Sequence, residues 1–304
     1  MQTSTVELVL NADLNEDKEH VLWYKSKKFL IGVCVVATAC VATGISLAVI
    51  SANNTAHETH RAEVRASMST PVAGTSWTLE AWGYKDEVKD DNYMVVVDMF
   101  DTSKSTIEKY QDEGHFVICY ISAGTLESWR PDANTFPDSV LGLAMEDWAG
   151  EKWFDISKIF ELEELMEPRF QMARDKGCQG IENDNVDCFI NKCVSGMDKV
   201  DLTGYQLNYN KWLADTAHKY GMISSLKNAG DLVYQLVDWF DMVIVEECAN
   251  YNECGLYKPF TQQNKGIFSV EYKTSSTAAK CSEAKEEFIR RKWNSDSTWK
   301  DCDY

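Results

Sequence analysis

The sequence lacks the glycine patterns and the basic charge that mark several large functional classes. No Gly-x-Gly-x-x-Gly run and no phosphate loop occurs in its 304 residues, which argues against a nucleotide-binding crevice. Lysine and arginine together number 30 against 48 aspartates and glutamates, so the formal net charge is −18. Such an acidic surface repels phosphate backbones, which excludes nucleic-acid binding. The same charge attracts a polycationic ligand, although acidity can also serve solubility alone.

Zinc-binding patterns are also absent. The sequence has no Cys-x-x-Cys pair, and its five histidines are scattered. Eight of the ten cysteines lie outside the long apolar run described next, which favours disulfides in an oxidising compartment. Spacing predicts three bridges: Cys188 with Cys193, Cys248 with Cys254, and Cys281 with Cys302. Cys119 is then either a buried thiol or the partner of Cys178.

One apolar run is long enough to cross a membrane. Residues 29–50 are 22 consecutive residues without a charge, close to the ~20 that a spanning helix needs. Three lysines precede the run, so the positive-inside rule keeps the N-terminus in the cytoplasm. We therefore predict a single-pass type II membrane protein with a cytosolic tail (1–28), a transmembrane signal anchor (29–50), a juxtamembrane linker (51–75) and an extracellular or lumenal domain (76–304).

A cleaved signal peptide is the alternative interpretation of this run, and it would make the protein secreted. The run exceeds the ~7 to 15 apolar residues usual in signal peptides, and the acidic leader before it is atypical of them. We therefore favour the uncleaved anchor. The sequon Asn53-Asn54-Thr55 predicts a glycan on the linker.

The remainder of the chain alternates short apolar strands with longer segments of helical period. Near-continuous apolar strands separated by helices predict a parallel sheet covered on both faces. About 230 residues with this alternation fit a (β/α)8 TIM barrel, and an open doubly wound sheet is the alternative. An eighth strand is expected near Thr298–Cys302. The other predicted strands are Trp77–Ala81, Tyr93–Asp98, Phe116–Ser122, Gly180–Glu182, Met222–Leu226, Met242–Glu246 and Gly266–Val270; the predicted helices are Ser103–Glu113, Ser157–Lys176, Thr203–Tyr220, Leu232–Phe240 and Ser282–Lys292.

Groups that ionise or form hydrogen bonds follow six of the seven strands that precede the eighth. The densest stretch is Gly177–Asp187, which carries three carboxylates within six residues. In a barrel all these strand ends meet at one mouth, so we expect a site there. Taken singly, Asp101, Asp187 and Asn228 are as well explained as helix caps. Aromatic side chains near the same loops could stack on sugar rings, although any one of them could belong to the core: Trp82, Tyr120, Trp129, Trp148, Trp153 and Tyr272.

Two carboxyl groups on different strands supply what glycoside hydrolysis requires, one protonated as acid and one ionised as nucleophile or base. We predict Asp184 and Glu246 as this pair. Glu246 follows an apolar run, so burial should raise its pKa and favour the acid role. Asp184 lies between Asn183 and Asn185, a polar setting that should keep it ionised.

At this point the chain resembles glycoside hydrolase family 114, the endo-α-1,4-polygalactosaminidases, whose catalytic domain is a TIM barrel. The resemblance extends from Trp77 to Tyr272, with the motifs in order. The motifs are Trp77-Thr-Leu-Glu, Val97-Asp-Met-Phe-Asp101, Cys119-Tyr-Ile-Ser-Ala-Gly124, Glu127-Ser-Trp-Arg130-Pro-Asp132, Trp148-Ala-Gly-Glu151-Lys-Trp153, Gly177 to Asp187, Leu226-Lys-Asn228, Glu246-Glu-Cys248 and Val270-Glu-Tyr272.

The resemblance implies hydrolysis of α-1,4-linked galactosamine in a de-N-acetylated, cationic polysaccharide, without a cofactor or a bound metal. The family's acidic pair is matched here by Asp184 and Glu246. Glu182, Asn183 and Glu247 depart from the family's usual aspartate, proline and glutamine, and the last leaves the choice between Glu246 and Glu247 open. The expected substrate-binding residues are Asp98, Tyr120, Glu127, Arg130, Glu182, Asp187, Lys227, Asn228, Glu271 and Tyr272.

Two other functions fit parts of the pattern. In a metal-dependent hydrolase, Asp98, Asp101, Asp184 and Asp187 would hold Mg²⁺ or Ca²⁺. In a membrane-tethered carbohydrate-binding protein, the barrel would have lost its chemistry. A binding protein needs no acid and base pair, so the presence of Asp184 with Glu246 favours the enzyme.

Overall fold

The structure is a computed structural model that describes residues 70–81, 88, 93–272, 274–295 and 298–302. The predicted tail, anchor and sequon, most of the predicted linker, and Trp82 lie outside these ranges. Of the helices within them, none combines the length and the apolar character that crossing a membrane requires. Residues 70–75 of the predicted linker include Val72, which forms a β-bridge with Lys265.

The described residues form an α/β fold whose strands outnumber the long helices. In chain order the strands are β1 (Trp77–Glu80), β2 (Met94–Asp98), β3 (Phe116–Ser122), β4 (Thr125–Glu127), β5 (Leu141–Ala144), β6 (Glu151–Phe154), β7 (Gly180–Asp184), β8 (Ile223–Lys227), β9 (Met242–Glu246), β10 (Gly266–Glu271), β11 (Ile289–Ser295) and β12 (Thr298–Asp301). The α-helices are α1 (Lys104–Asp112), α2 (Ile159–Lys176), α3 (Cys188–Asn191), α4 (Lys199–Lys219), α5 (Val233–Leu236), α6 (Cys248–Tyr251), α7 (Lys258–Gln262) and α8 (Cys281–Glu286).

One sheet carries the fold, in the order β1-β2-β3-β7-β8-β9-β10-β11-β12. Every neighbouring pair from β1 to β11 is parallel, and β12 returns antiparallel to β11. Eight parallel strands thus follow one another in chain order, as a TIM-type domain requires. The pairs in the described ranges do not join β1 to β11, so the sheet is a curled half-barrel.

The sheet is apolar on both faces because alternate residues of each strand point to opposite sides. Inside the curl, one buried cluster includes Trp77, Met94, Ile244 and Phe268. The rings of Trp77 on β1 and Phe268 on β10 are 5.3 Å apart across this interior. A larger cluster fills the space between the sheet and the helices. The near-continuous apolar strands of the sequence are explained by these two layers.

The C-terminal part differs from the sequence-based prediction. The eighth parallel strand is Ile289–Ser295, whose first four residues overlap the predicted helix Ser282–Lys292, and Thr298–Asp301 is its antiparallel neighbour. Phe288 has a left-handed φ of 57°, which separates α8 from this strand. Arg291 is buried on the strand and donates to Ser269 Oγ (2.8 Å) and to the Ala279 carbonyl (2.6 Å). Because this buried arginine interrupts the apolar run, the hydrophobicity pattern does not indicate a strand here.

A small antiparallel sheet, β4-β6-β5, is inserted between β3 and β7, and the sequence analysis did not predict it. Gly124 enters this insertion beside the end of β7. A Cβ atom at that position would lie 1.6 Å from the backbone oxygen of Asn185, so only glycine allows the approach. The amides of Ala123 and Gly124 both donate to the carbonyl of Asp184 at 3.0 Å. The insertion is therefore fixed to the end of β7.

All four predicted or possible cysteine pairs are confirmed as disulfides. Their Cα–Cα distances of 4.8 to 5.8 Å suit the bond. Cys119 is the partner of Cys178, so the alternative of a buried free thiol is wrong. This bridge joins β3 to the residues before β7 across a sequence separation of 59.

Replacing Cys119 and Cys178 together by alanine is expected to lower the free energy of unfolding by about 4 kcal/mol, because the bridge restricts a long loop of the unfolded chain. The matched change at Cys188 and Cys193, only 5 residues apart, should cost about 2 kcal/mol on the same argument. Urea unfolding of the two variants measures both values. A larger loss for the short bridge would contradict the loop argument.

Candidate active site

A buried lysine lies at the centre of the mouth formed by the strand ends. Lys227, the last residue of β8, is 2% exposed. Its Nζ atom is 3.0 Å from Asp184 Oδ1, 3.5 Å from Glu182 Oε1 and 3.5 Å from Glu246 Oε2. The three carboxylates come from β7 and β9, the strands on either side of β8. We call these four residues the Lys227 cluster.

The cluster brings the two predicted catalytic residues together. Because Asp184 and Glu246 both contact Lys227 Nζ, their nearest carboxylate oxygens are no further apart than the sum of 3.0 and 3.5 Å. Glu182 and Asp184 share a face of β7 because they are two residues apart. Glu182 is fully buried below the mouth, whereas Asp184 is partly exposed.

Glu246 is held by two further predicted residues. Asn228 donates its side-chain amide to Glu246 Oε2 at 3.1 Å and accepts the backbone amide of Glu246 at 2.9 Å. The Tyr272 hydroxyl donates to Glu246 Oε1 at 2.5 Å. Asn228, Ala229 and Glu247 all have left-handed φ values, between 49° and 55°. Three such residues at two strand ends mark a strained backbone, which is common at functional sites.

The pKa of Glu246 differs from the sequence-based expectation. Burial acts to raise this pKa, but the charge of Lys227 and the hydrogen bonds from Tyr272 and Asn228 outweigh it and lower the pKa below its usual value. The expectation that burial raises it was therefore wrong, because the sequence does not reveal that Lys227 lies beside this carboxylate. Conversely, burial lowers the pKa of Lys227, but its carboxylate neighbours raise it above its ordinary range and keep it charged.

Two other carboxyl groups of the mouth have raised pKa values. Burial, chiefly, raises the pKa of Glu182 to about 8, against the opposing effect of Lys227. Burial and the charges of Asp184 and Glu246 raise the pKa of Asp187 to about 7. The raised pKa favours the protonated form of Glu182, which reduces the repulsion within the Lys227 cluster.

A second buried ion group lies next to the mouth. The Arg130 guanidinium binds both oxygens of Asp98 (3.0 and 2.7 Å) and both oxygens of Glu127 (2.7 and 2.8 Å). All three residues are buried. Tyr120 is buried near both groups: burial and the charges of Asp184 and Glu127 raise the pKa of its hydroxyl. These four predicted residues, Asp98, Tyr120, Glu127 and Arg130, therefore lie together on the β3 side of Asp184.

Glu271 has a different environment from the one predicted. Its carboxylate accepts the backbone amides of Ala249 (2.9 Å) and Asn250 (3.3 Å), and it lies 3.7 Å from Arg291. It therefore anchors the start of α6 behind Glu246. We assign it a supporting position rather than one facing the mouth.

Glu151 was not among the predicted site residues, although it belongs to the motif Trp148-Ala-Gly-Glu151-Lys-Trp153. Glu151 is 7% exposed and accepts a hydrogen bond from Thr125 Oγ1 at 2.7 Å. Thr125 in turn contacts Ser122 Oγ at 2.5 Å, and Asn185 donates to Ser122 Oγ at 3.0 Å. This chain links the insertion to the residue that follows Asp184.

The acidic residues of the mouth do not form a metal-binding arrangement in the part of the chain that the structure describes. No group of three or more histidine, cysteine, aspartate or glutamate side chains is placed to hold an ion there. Of the aspartates considered as metal ligands, Asp98 and Asp101 contact Arg130, and Asp184 contacts Lys227.

Comparison with known proteins identifies the family. The model of glycoside hydrolase family GH114 matches residues 58–302. The crystal structure of Ega3 from Aspergillus fumigatus, in complex with galactosamine, is similar with a TM-score of 0.70 and 34% identity, covering 78% of this chain and 100% of that one. The glycoside hydrolase domain of PelA from Pseudomonas aeruginosa shares the fold, with a TM-score of 0.59 and 12% identity over 76% of this chain and 96% of that one. A search of curated protein sequences finds no significant match.

The family match and the Ega3 relative agree with the motifs at the mouth. The GH114 match includes all the strands of the sheet and the whole Lys227 cluster. The resemblance inferred from the motifs is therefore confirmed. This chain belongs to glycoside hydrolase family GH114 and is a glycoside hydrolase of the endo-α-1,4-polygalactosaminidase-like type.

Proposed function

We propose that this enzyme cleaves α-1,4-galactosaminidic bonds inside de-N-acetylated galactosamine polysaccharides, with Asp184 as nucleophile and Glu246 as acid and base. The observation that carries the proposal is the approach of these two carboxylates at one lysine. The galactosamine bound to Ega3 supports the substrate class. The formal charge of −18 suits a cationic polymer.

The proposed reaction has two steps. Asp184 attacks the anomeric carbon while protonated Glu246 gives its proton to the leaving oxygen, which forms a covalent glycosyl-enzyme. Glu246 then takes a proton from water, which attacks the same carbon and releases Asp184. Retaining glycosidases have carboxyl groups about 5 to 5.5 Å apart, and inverting ones about 6.5 to 9.5 Å. We propose the retaining course because both carboxylates contact one lysine atom.

The carboxylates also suit the amino group of the substrate. The 2-ammonium group of galactosamine opposes the positive charge that develops on the sugar ring in the transition state. Asp184, and Asp187 in its ionised form, place negative charge at the mouth that offsets both charges. We propose that the half-buried Asp187 carboxylate accepts a hydrogen bond from the 2-ammonium group of the substrate. Asp187→Asn should therefore reduce the preference for galactosamine over N-acetylgalactosamine oligomers, measured as a ratio of kcat/KM values.

Product analysis on α-1,4-galactosamine oligomers of defined acetylation tests the proposed function. Fragments from internal cleavage of the deacetylated oligomers, formed equally in the presence of EDTA, are the expected result. Binding without any cleavage would favour the carbohydrate-binding alternative, and loss of cleavage with EDTA would favour the metal-dependent one.

The lowered pKa of Glu246 has a consequence for pH dependence. As the pH rises, the free enzyme that carries a proton on Glu246 becomes scarcer, so kcat/KM for polymer cleavage should fall from an acidic optimum. A galactosaminide with a nitrophenolate leaving group needs less proton donation. The rate at which it forms the glycosyl-enzyme should therefore fall less steeply as the pH rises. Stopped assays from pH 4 to 8 on both substrates measure this difference. Identical profiles would contradict the acid role of Glu246.

We further propose that residues 29–50 anchor the enzyme in a membrane, with the catalytic domain outside the cytosol. The support is the uncharged run of 22 residues with lysines before it, and four disulfides in the domain. Retention of the full-length chain in membranes after alkaline extraction is expected, and its release would indicate a cleaved leader.

We also propose that the curled sheet is a (β/α)8 barrel, on the strength of its eight parallel strands in chain order.

A further inference from the structure

Two exposed tryptophans lie on the insertion that follows β3. Trp129 comes just after β4, and Trp148 lies three residues before the start of β6. Each is 54% exposed, whereas Trp153 of the same insertion is 4% exposed and belongs to the core. Large aromatic side chains in water lose the benefit of burial. We call Trp129 and Trp148 the tryptophan platform.

The two residues of the platform are held by one turn. Strands β4 and β6 pair with Glu127 opposite Glu151. The amide of Ser128 donates to the Gly150 carbonyl (3.0 Å), and the amide of Glu151 donates to the Trp148 carbonyl (3.1 Å). The Trp129 ring lies against Gly150, where a Cβ atom would approach ring carbon Cζ3 to 3.2 Å. The Trp129 side chain therefore rests on the turn that begins at Trp148.

The platform is connected to the Lys227 cluster but lies beyond it. The Gly124 amide donates to the Asp184 carbonyl, and Trp129 follows five residues later, after strand β4 and at the turn that ends it. At about 3.3 Å per residue the five residues reach at most roughly 16 Å, so the chain is long enough for the platform to lie more than one sugar ring from the cluster. Glu151, at the base of the platform, is linked through Thr125 and Ser122 to Asn185. The geometry therefore keeps the platform at a constant distance from the cleavage point.

The charge beside the platform suits a polycation. Glu146 and Asp147 are exposed immediately before Trp148. Lys152 is also exposed, but it alternates with Glu151 along β6 and so points to the opposite face of that strand. An aromatic ring offers a surface to the apolar face of a sugar, and its π-face attracts an ammonium group. A galactosamine unit presents both features.

We propose that the tryptophan platform is a distal subsite that binds galactosamine units remote from the cleaved bond, so that the enzyme prefers long chains. This inference rests on the proposed function, because it takes the substrate class from it. The subsite contributes binding to the polymer and no chemistry. Short oligomers that occupy only the Lys227 cluster do not reach it.

Alanine substitution at both positions tests the proposal. With cation–π contacts of about 0.5 to 1 kcal/mol at each exposed ring, Trp129→Ala with Trp148→Ala should lower kcat/KM on long galactosamine chains roughly tenfold. The value for the shortest oligomer that is cleaved should not change. Tyr205→Ala, a half-exposed aromatic position on α4, is the matched control and should leave both substrates unaffected.

A binding measurement separates this inference from the proposed function. In the Glu246→Gln background, calorimetric titration with long chains should give a Kd that rises about tenfold on loss of the platform, with no change for the short oligomer. Equal losses for both lengths, no loss for either, or no binding of galactosamine chains at all would overturn the distal subsite. Binding of long chains by the platform without cleavage by the unaltered enzyme would instead overturn only the proposed function.

Discussion

Replacing Glu246 by glutamine is expected to lower kcat on galactosamine polymer by roughly 10² to 10⁴ while the fold survives. That range is the usual contribution of a positioned general acid and base. The glutamine amide oxygen can accept from the Asn228 side-chain amide, and its NH2 group can donate to the Tyr272 hydroxyl, so both neighbours that hold the side chain can still bind it. Thermal unfolding of the variant should stay within a few degrees of the unaltered enzyme.

The companion changes separate the two roles. Asp184→Asn should lower kcat at least as much, and on the nitrophenyl substrate as well, because the attacking group is lost whatever the leaving group. Glu247→Gln is the matched control, since Glu247 adjoins Glu246, whereas the contacts with Lys227, Asn228 and Tyr272 are made by Glu246. It should retain activity within a few-fold. Full activity in Glu246→Gln together with loss in Glu247→Gln would transfer the acid role to Glu247.

Replacing Lys227 by methionine is expected to affect both stability and pH dependence. Methionine keeps most of the side-chain volume but leaves Glu182, Asp184 and Glu246 without their common positive partner. Breaking one side of a buried ion group typically costs 3 to 5 kcal/mol. Lys109→Met, at an exposed salt bridge on α1, is the control and should cost less than about 1 kcal/mol.

The loss in the Lys227→Met variant should depend on pH in a defined direction. Without the lysine, the folded-state pKa of Glu182 rises further and that of Glu246 rises as well, because Lys227 lowers both. A raised folded pKa weakens the folded state as pH rises, so the deficit should be small near pH 4 and largest near pH 8. The fall of kcat/KM with pH should also move to higher pH, because Lys227 no longer lowers the pKa of Glu246. A deficit independent of pH would indicate lost packing rather than lost charge.

The sequence predicts most of the sheet because its physical signal is local. Strands Phe116–Ser122 and Met242–Glu246 are found with the predicted bounds, and the other early strands differ by one or two residues. The eighth strand was missed because Arg291 and Lys292 interrupt its apolar pattern, and the sequence does not show that Ser269 and Asp301 pair with them in the buried interior. The insertion was missed because three strands of three or four residues carry too little periodicity.

The site was predictable as a set of residues but not as an electrostatic arrangement. The convergence of strand ends follows from the barrel topology, so Asp184, Lys227 and Glu246 could be placed at one mouth in advance. The direction of the Glu246 pKa shift depends on the Lys227 Nζ atom 3.5 Å away. The spacing of the two residues in the sequence does not reveal that distance. Glu151 and the anchoring role of Glu271 likewise depend on contacts made by a loop and a short helix.

The central claim is that Asp184 and Glu246 act as one catalytic pair on a galactosaminide. The most direct test is peptide mass mapping of the Glu246→Gln variant after incubation with α-galactosaminyl fluoride, whose leaving group needs no acid. With no general base to assist water, the glycosyl-enzyme should accumulate, and one galactosaminyl unit should be found on the peptide at Asp184. Label on another residue, or fluoride release without any labelled peptide, would contradict the account.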